Sequence, residues 1–127
     1  MSSHHFIGTG ALSDRLRLEA RDPEALLVHV ADRVRASGLG VVAQHAVRFD
    51  QGGLTLVWVL SESHLVLHYW AEEGFATIDL HVCDYQLSNR ERARSLVSSL
   101  TELCFLPGSE SWQELQVEPP VAQPQSA

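Results

Sequence analysis

Between residues 54 and 83 the chain carries three β-rich runs separated by only three or four residues. They are Leu54 to Leu60, His64 to Trp70 and Phe75 to Cys83, joined through Ser61-Glu62-Ser63 and Ala71 to Gly74. Connections this short cannot house the crossover that parallel neighbours need, so the runs predict adjacent antiparallel strands. Gly40 to Phe49, rich in Val, predicts one more strand, turning back at Gly52-Gly53.

Helical signals flank this block. Asp22-Pro23-Glu24 reads as a start, with Asp at the cap and Pro at the first helical position. Leu26, Leu27, Val30, Ala31 and Val34 then recur at three- and four-residue spacing, and Gly38 and Gly40 close the helix. Ser88-Asn89-Arg90-Glu91 has the form of a capping box, ahead of Ala93, Leu96, Val97, Leu100, Leu103 and Cys104 on one face, with Pro107-Gly108 as the stop. Leu16, Leu18 and Ala20 alternate at period two, which predicts a first strand within Leu12 to Ala20. Trp112 to Val117 predicts a short last strand. Pro119, Pro120 and Pro124 with Gln and Ser predict a disordered tail over 118–127. The expected fold is α+β: one domain over 1–117, a two-layer sandwich with a mostly antiparallel sheet and two amphipathic helices on one face. The other sheet face is then left for water, a partner or a ligand.

The 127 residues suffice for one core. No apolar run approaches the ~20 residues of a membrane-spanning helix, and the Met1-Ser2-Ser3-His4-His5 start has no secretory pattern. No membrane association is therefore expected. Two cysteines without a secretion signal make the cytoplasm the expected location, with no disulfide framework. The formal charge of −7 and the absence of a basic cluster speak against a nucleic-acid partner.

Alternation sorts the last run of the block into two faces. Ala76, Ile78, Leu80 and Val82 form the apolar side, and Phe75, Thr77, Asp79, His81 and Cys83 the other. Cys104, on an apolar helix face, suits a small buried hydrophobe. Cys83 instead shares its face with an Asp and a His, surroundings that tune a thiol towards proton transfer. On the preceding run His64, Val66, His68 and Trp70 share a face. A zinc site is not expected: there is no CxxC or HExxH, and four converging ligands cannot be named. Ser61 and Ser63 lie in no G-x-S-x-G elbow. On residue chemistry alone, Ser61-Glu62-Ser63 is a polar hairpin turn.

The same residues form a longer pattern. Leu60-Ser61-Glu62-Ser63-His64-Leu65, then His68, Trp70, Glu72, Gly74, Ala76, Ile78-Asp79-Leu80 and Cys83, resembles the signature block of the short bacterial and archaeal S-adenosylmethionine decarboxylases. Ser37-Gly38 and Arg48-Phe49 also fit, so the resemblance covers about Gly38 to Cys83.

The resemblance implies a proenzyme that cuts itself between Glu62 and Ser63, giving fragments 1–62 and 63–127. Ser63 attacks the Glu62 carbonyl in an N-to-O acyl shift, and β-elimination then leaves a pyruvoyl cofactor derived from Ser63. It further implies that His68 transfers the proton that drives elimination and that the hydroxyl of Thr55 supports processing. The pyruvoyl group, an electron sink comparable to pyridoxal phosphate, takes the substrate amine as a Schiff base, and Cys83 returns a proton to the former α-carbon. Phe49 is implied to stack on adenine and Glu72 to bind the ribose hydroxyls. The implied substrate is S-adenosylmethionine, the implied pathway spermidine biosynthesis, and the implied assembly a homodimer whose sites draw on both protomers.

Some positions depart from the family pattern. Gln51-Gly52-Gly53-Leu54-Thr55-Leu56 replaces the usual Pro-x-Gly-Val-Ser-Gly, His68-Tyr69-Trp70-Ala71-Glu72 replaces His-Thr-Trp-Pro-Glu, and Val47 replaces a common His. The usual Gly-x-His-Leu start of the first strand is read as Gly10-Ala11-Leu12. These changes fall on the pocket and leave Glu62, Ser63, His68 and Cys83 in place. Two alternatives stand beside the main reading: a pyruvoyl-dependent ornithine or arginine decarboxylase, and a regulatory paralogue that does not cleave.

Overall fold

The computed structural model describes residues 1–121. Among them are six strands and three helices: β1 (Ser3–Ala11), α1 (Asp14–Glu19), α2 (Pro23–Ala36), β2 (Val41–Arg48), β3 (Gly53–Leu60), β4 (Ser63–Trp70), β5 (Phe75–Cys83), α3 (Arg90–Cys104) and β6 (Ser111–Val117). The strands form one sheet in the order β2-β3-β4-β5-β1-β6, every neighbouring pair antiparallel. The three strands of the central block pair in succession, as their two short turns require.

One sheet face is dry. Leu54, Leu56, Trp58 and Leu60 on β3, Leu65, Leu67 and Tyr69 on β4, and Ala76, Ile78, Leu80 and Val82 on β5 are all buried there. They pack with Leu26, Leu27, Val30, Ala31 and Val34 of α2 and with Ala93, Leu96, Leu100, Leu103 and Cys104 of α3. The helix α2 lies over the β2–β3 side and α3 over the β5–β1 side. Trp58 is fully buried, and its indole N–H donates to the Leu27 carbonyl at 3.0 Å, so its one polar atom is satisfied while it joins sheet to helix. No described helix is long and apolar enough to cross a membrane.

The sequence misplaces the beginning of the chain. Leu12 to Ala20 is not a strand but contains α1, because Ser13 caps it: the Ser13 hydroxyl accepts from the Leu16 N–H at 3.0 Å and donates to the Leu103 carbonyl at 2.6 Å. Leu12, Leu16 and Ala20 are buried at four-residue intervals, whereas Leu18 is 62% exposed. The alternation of Leu16, Leu18 and Ala20 was two-thirds of a helical stripe. The first strand is the earlier β1, set between β5 and β6. Its Gly8 leaves room for Trp112 of β6, whose ring atoms come within 2.5 Å of where a Cβ would sit.

A second correction concerns α3. Its cap is Asn89, not Ser88, and the box between Ser88 and Glu91 does not form. The Asn89 amide is engaged elsewhere, donating to the Cys83 carbonyl at 2.9 Å, while its own N–H donates to Asp84 at 2.8 Å. Glu91 faces Arg94 instead. The expected strand at Trp112 to Val117 is present as β6. Residues 118–121 of the expected tail have no regular structure, and the rest of it lies outside the described residues.

Candidate functional site

The uncovered sheet face carries two clusters, one at each end of β4. The first surrounds the β3–β4 turn. Regular alternation from Leu65 and Leu67 would aim Ser63 at the helices, and its pairing partners Leu60 and Val82 are indeed buried. Ser63 instead takes a φ of 158°, the one positive φ at a non-glycine among the described residues. Its hydroxyl therefore reaches the open face, 2.9 Å from Nδ1 of His81 and 3.2 Å from Nδ1 of His64.

The peptide before Ser63 is held from several sides. The Glu62 carbonyl accepts from the Cys83 N–H at 2.8 Å, and the Glu62 carboxylate accepts from the Gly40 N–H at 3.1 Å. Gly40 lets the Ser61 hydroxyl pack against it: a Cβ there would lie 2.6 Å from that oxygen and would turn it aside. The end of β5 is fixed in turn by Asp84, whose N–H donates to Ser2 and whose carboxylate pairs with the buried His4 at 2.9 Å. Burial pushes the Asp84 carboxyl up, but the Asn89 N–H and His4 outweigh it and hold it below the usual range.

The sheet register makes His81 the middle of three imidazoles. It pairs with His64 on β4 and His5 on β1, with ring centroids 5.2 and 5.0 Å away. Burial, then the two neighbouring rings, lowers the His81 pKa below its ordinary value. Cys83 is half-exposed on this face, two residues further along β5. Cys104 is buried in the core, where burial pushes its thiol up to about 12 and leaves it unreactive.

The second cluster lies at the far end of β4. Thr55 and His68 are register partners, with the Thr55 hydroxyl 3.0 Å from Nδ1 of His68. His68 stacks on Trp70 and Trp70 on Phe75, at centroid distances of 5.5 and 4.9 Å. Phe49 is 56% exposed beside Gly53, whose register partner is Trp70, and Glu72 is exposed in the β4–β5 turn. Thr55, His68, Phe49 and Glu72 thus collect at one end, and Glu62, Ser63 and Cys83 at the other. His68 is four residues beyond His64 on one strand, about 13 Å at the rise of a strand. Within the chain His68 does not reach Ser63.

Sequence reasoning set His81 on the open face but gave it no role, because its contact with Ser63 depends on the backbone turn at Ser63. It passed over His5 with β1 itself. Among the described residues no group of three or more His, Cys, Asp or Glu side chains is arranged to hold a metal ion.

Fold and site together define a class: a two-layer α+β protein with a serine, imidazoles and a thiol on an uncovered antiparallel sheet. The sequence matches the S-adenosylmethionine decarboxylase family model over residues 13–103, and the chain belongs to that family. It is 35% identical over 81 residues to the S-adenosylmethionine decarboxylase proenzyme of Pyrobaculum aerophilum, an alignment spanning 63% of this chain and 65% of that one. Against the proenzyme of Symbiobacterium thermophilum it is 52% identical over 48 residues, 38% of this chain and 36% of the other. The crystal structure of the adenosylmethionine decarboxylase from Aquifex aeolicus superposes with a TM-score of 0.65 at 20% identity, covering 100% of this chain and 97% of that one, a likeness of fold.

Proposed function

We propose that this chain is the self-cleaving precursor of a pyruvoyl-dependent S-adenosylmethionine decarboxylase, cut between Glu62 and Ser63. One observation carries the reading: the Ser63 hydroxyl sits on an imidazole while the adjoining Glu62 carbonyl accepts the Cys83 N–H. That pairs a nucleophile next to a base with a donor at the oxygen where negative charge develops in an acyl shift.

Ser63 fits as the source of the cofactor, since its hydroxyl and the peptide it must break are already oriented. Once formed, the pyruvoyl carbonyl supplies the electron sink that lets an amino acid lose carbon dioxide. Cys83, half-exposed beside it, holds the proton for the former α-carbon. Phe49 offers an exposed ring for adenine and Glu72 a carboxylate for the ribose hydroxyls.

The working unit is a homodimer built on the open faces. A twofold axis through the middle of that face lays the Thr55–His68 end of one protomer over the Ser63 end of the other. Each site is then completed by its partner, as in any isologous pairing. The distance between the two clusters and the exposed apolar side chains on that face, among them Val59 and Ile7, support this arrangement.

Intact mass of the purified protein, with and without borohydride, tests the proposal. Two fragments divided at Ser63, the second with a reducible ketone, are expected; an uncut chain with an ordinary serine refutes it. Release of carbon dioxide from S-adenosylmethionine, ornithine and arginine then fixes the substrate.

A further inference from the structure

A hydroxyl has one proton to donate, and Ser63 Oγ has two imidazole nitrogens within reach. Nδ1 of His81 is nearer, at 2.9 Å against 3.2 Å for His64. His81 also comes from a different strand and is fixed by ladders on both sides, so it holds still while the peptide at Ser63 rearranges. We propose that His81 is the general base of the acyl shift, taking the Ser63 hydroxyl proton and passing it to the Ser63 nitrogen. This assignment rests on the self-cleavage proposed above and concerns its first step.

The atoms balance without another reactant. The O–H bond of Ser63 breaks as Oγ bonds to the carbonyl carbon of Glu62. Charge gathers on the Glu62 oxygen, where the Cys83 N–H already donates at 2.8 Å. As the adduct collapses, the bond from that carbon to the Ser63 nitrogen breaks, and the proton on His81 moves to the nitrogen. An ester and a free amine result, with His81 again neutral.

A base has to be unprotonated to act. The groups facing His81 are His5 from β1, His64 from β4, and Asp79 and Cys83 two residues to either side on β5. Burial and the two imidazoles hold its pKa below the ordinary 6.5, so the lone pair is free at neutral pH. His64, at the longer distance, faces Oγ as a donor to its lone pair. Two histidines then serve two steps: His81 the shift, and His68, at the opposite end of the sheet face, the later elimination.

The test follows cleavage of freshly synthesised full-length chain from about pH 5 to 8. In the wild type the rate should fall as acid protonates His81. His81→Gln should cleave about 10²–10⁴-fold more slowly and lose that acid limb. Hydroxylamine, which cuts esters, should release no fragment from His81→Gln but should release one from His68→Ala, where the ester forms and waits. Changing Ser63→Cys within His81→Gln should shrink the deficit, because a thiol needs less help to ionise; a misfolded variant would not respond. The assignment is overturned if His81→Gln cleaves at the wild-type rate with the same pH profile, or if hydroxylamine cuts it as readily as His68→Ala. A wild-type chain that never cleaves removes the self-cleavage reading itself, and His81 with it.

Discussion

The main-chain N–H of Cys83 donates to the main-chain carbonyl of Glu62 at 2.8 Å, so β5 holds the Glu62–Ser63 peptide through an atom that loss of the thiol leaves in place. The thiol of the same residue points into the open face. One position thus serves two proposed steps by two different groups.

Substituting Cys83→Ala should separate them. Cleavage at Ser63 should proceed within a few-fold of wild type, since the N–H remains, while turnover falls by about 10²-fold or more with loss of the proton donor. Fragment yield on a gel and carbon dioxide release check the two independently. A fully active variant would remove the thiol from the scheme.

The link between β6 and α3 should be acid-sensitive. Side-chain bonds from Arg90 and Arg94 pull the Glu114 carboxyl down to about 2. A group with a depressed folded pKa stabilises above its unfolded value and loses that contribution as pH falls through the folded one. Glu114→Gln should therefore lower the melting temperature at pH 7, by no more than about 4 °C for a surface pair. The difference from wild type should shrink between pH 4.5 and about 2. Thermal melts of both proteins across that range provide the check.

What could be read from the sequence follows from how local each feature is. The β3–β4–β5 block was legible because alternation and two short turns leave one way to pair. Strand β1 was not, since His4-His5 and Gly8 and Gly10 give no apolar rhythm, and its sense comes only from what Trp112 and β5 place beside it. Asn89 escaped because its amide answers the end of β5, a tertiary demand that a capping pattern cannot register. At the site, the family pattern marked Glu62, Ser63, His68 and Cys83. The imidazoles on Ser63 stayed hidden because a backbone turn at one residue decides which face its hydroxyl joins.

The misreading of Leu12 to Ala20 can be put to measurement. A strand would bury Leu16 and Leu18 alike, whereas in α1 Leu16 is fully buried and Leu18 largely exposed. Leu16→Ala should cost about 2–5 kcal/mol and Leu18→Ala under about 0.5 kcal/mol. Urea unfolding of the two variants distinguishes helix from strand, and equal costs would contradict the helix.

Placing Ser63 and His68 at opposite ends of one sheet face carries the strongest expectation about assembly. Ser63→Ala alone has no nucleophile and should stay uncut. His68→Ala alone should also stay uncut, held before elimination. If each site takes Thr55 and His68 from the partner, co-synthesis of the two variants rebuilds one good site in every mixed dimer, where the serine of the His68→Ala chain meets the intact His68 of the other. Random pairing of equal amounts makes half of all dimers mixed with one competent serine each, so about a quarter of the chains should be cut. The fragments should all derive from the His68→Ala chain, which mass spectrometry can read from its sequence. If each site were complete within one protomer, the mixture would remain uncut, and the sheet face would have to bend far enough to bring together two positions five residues, about 16 Å, apart along β4.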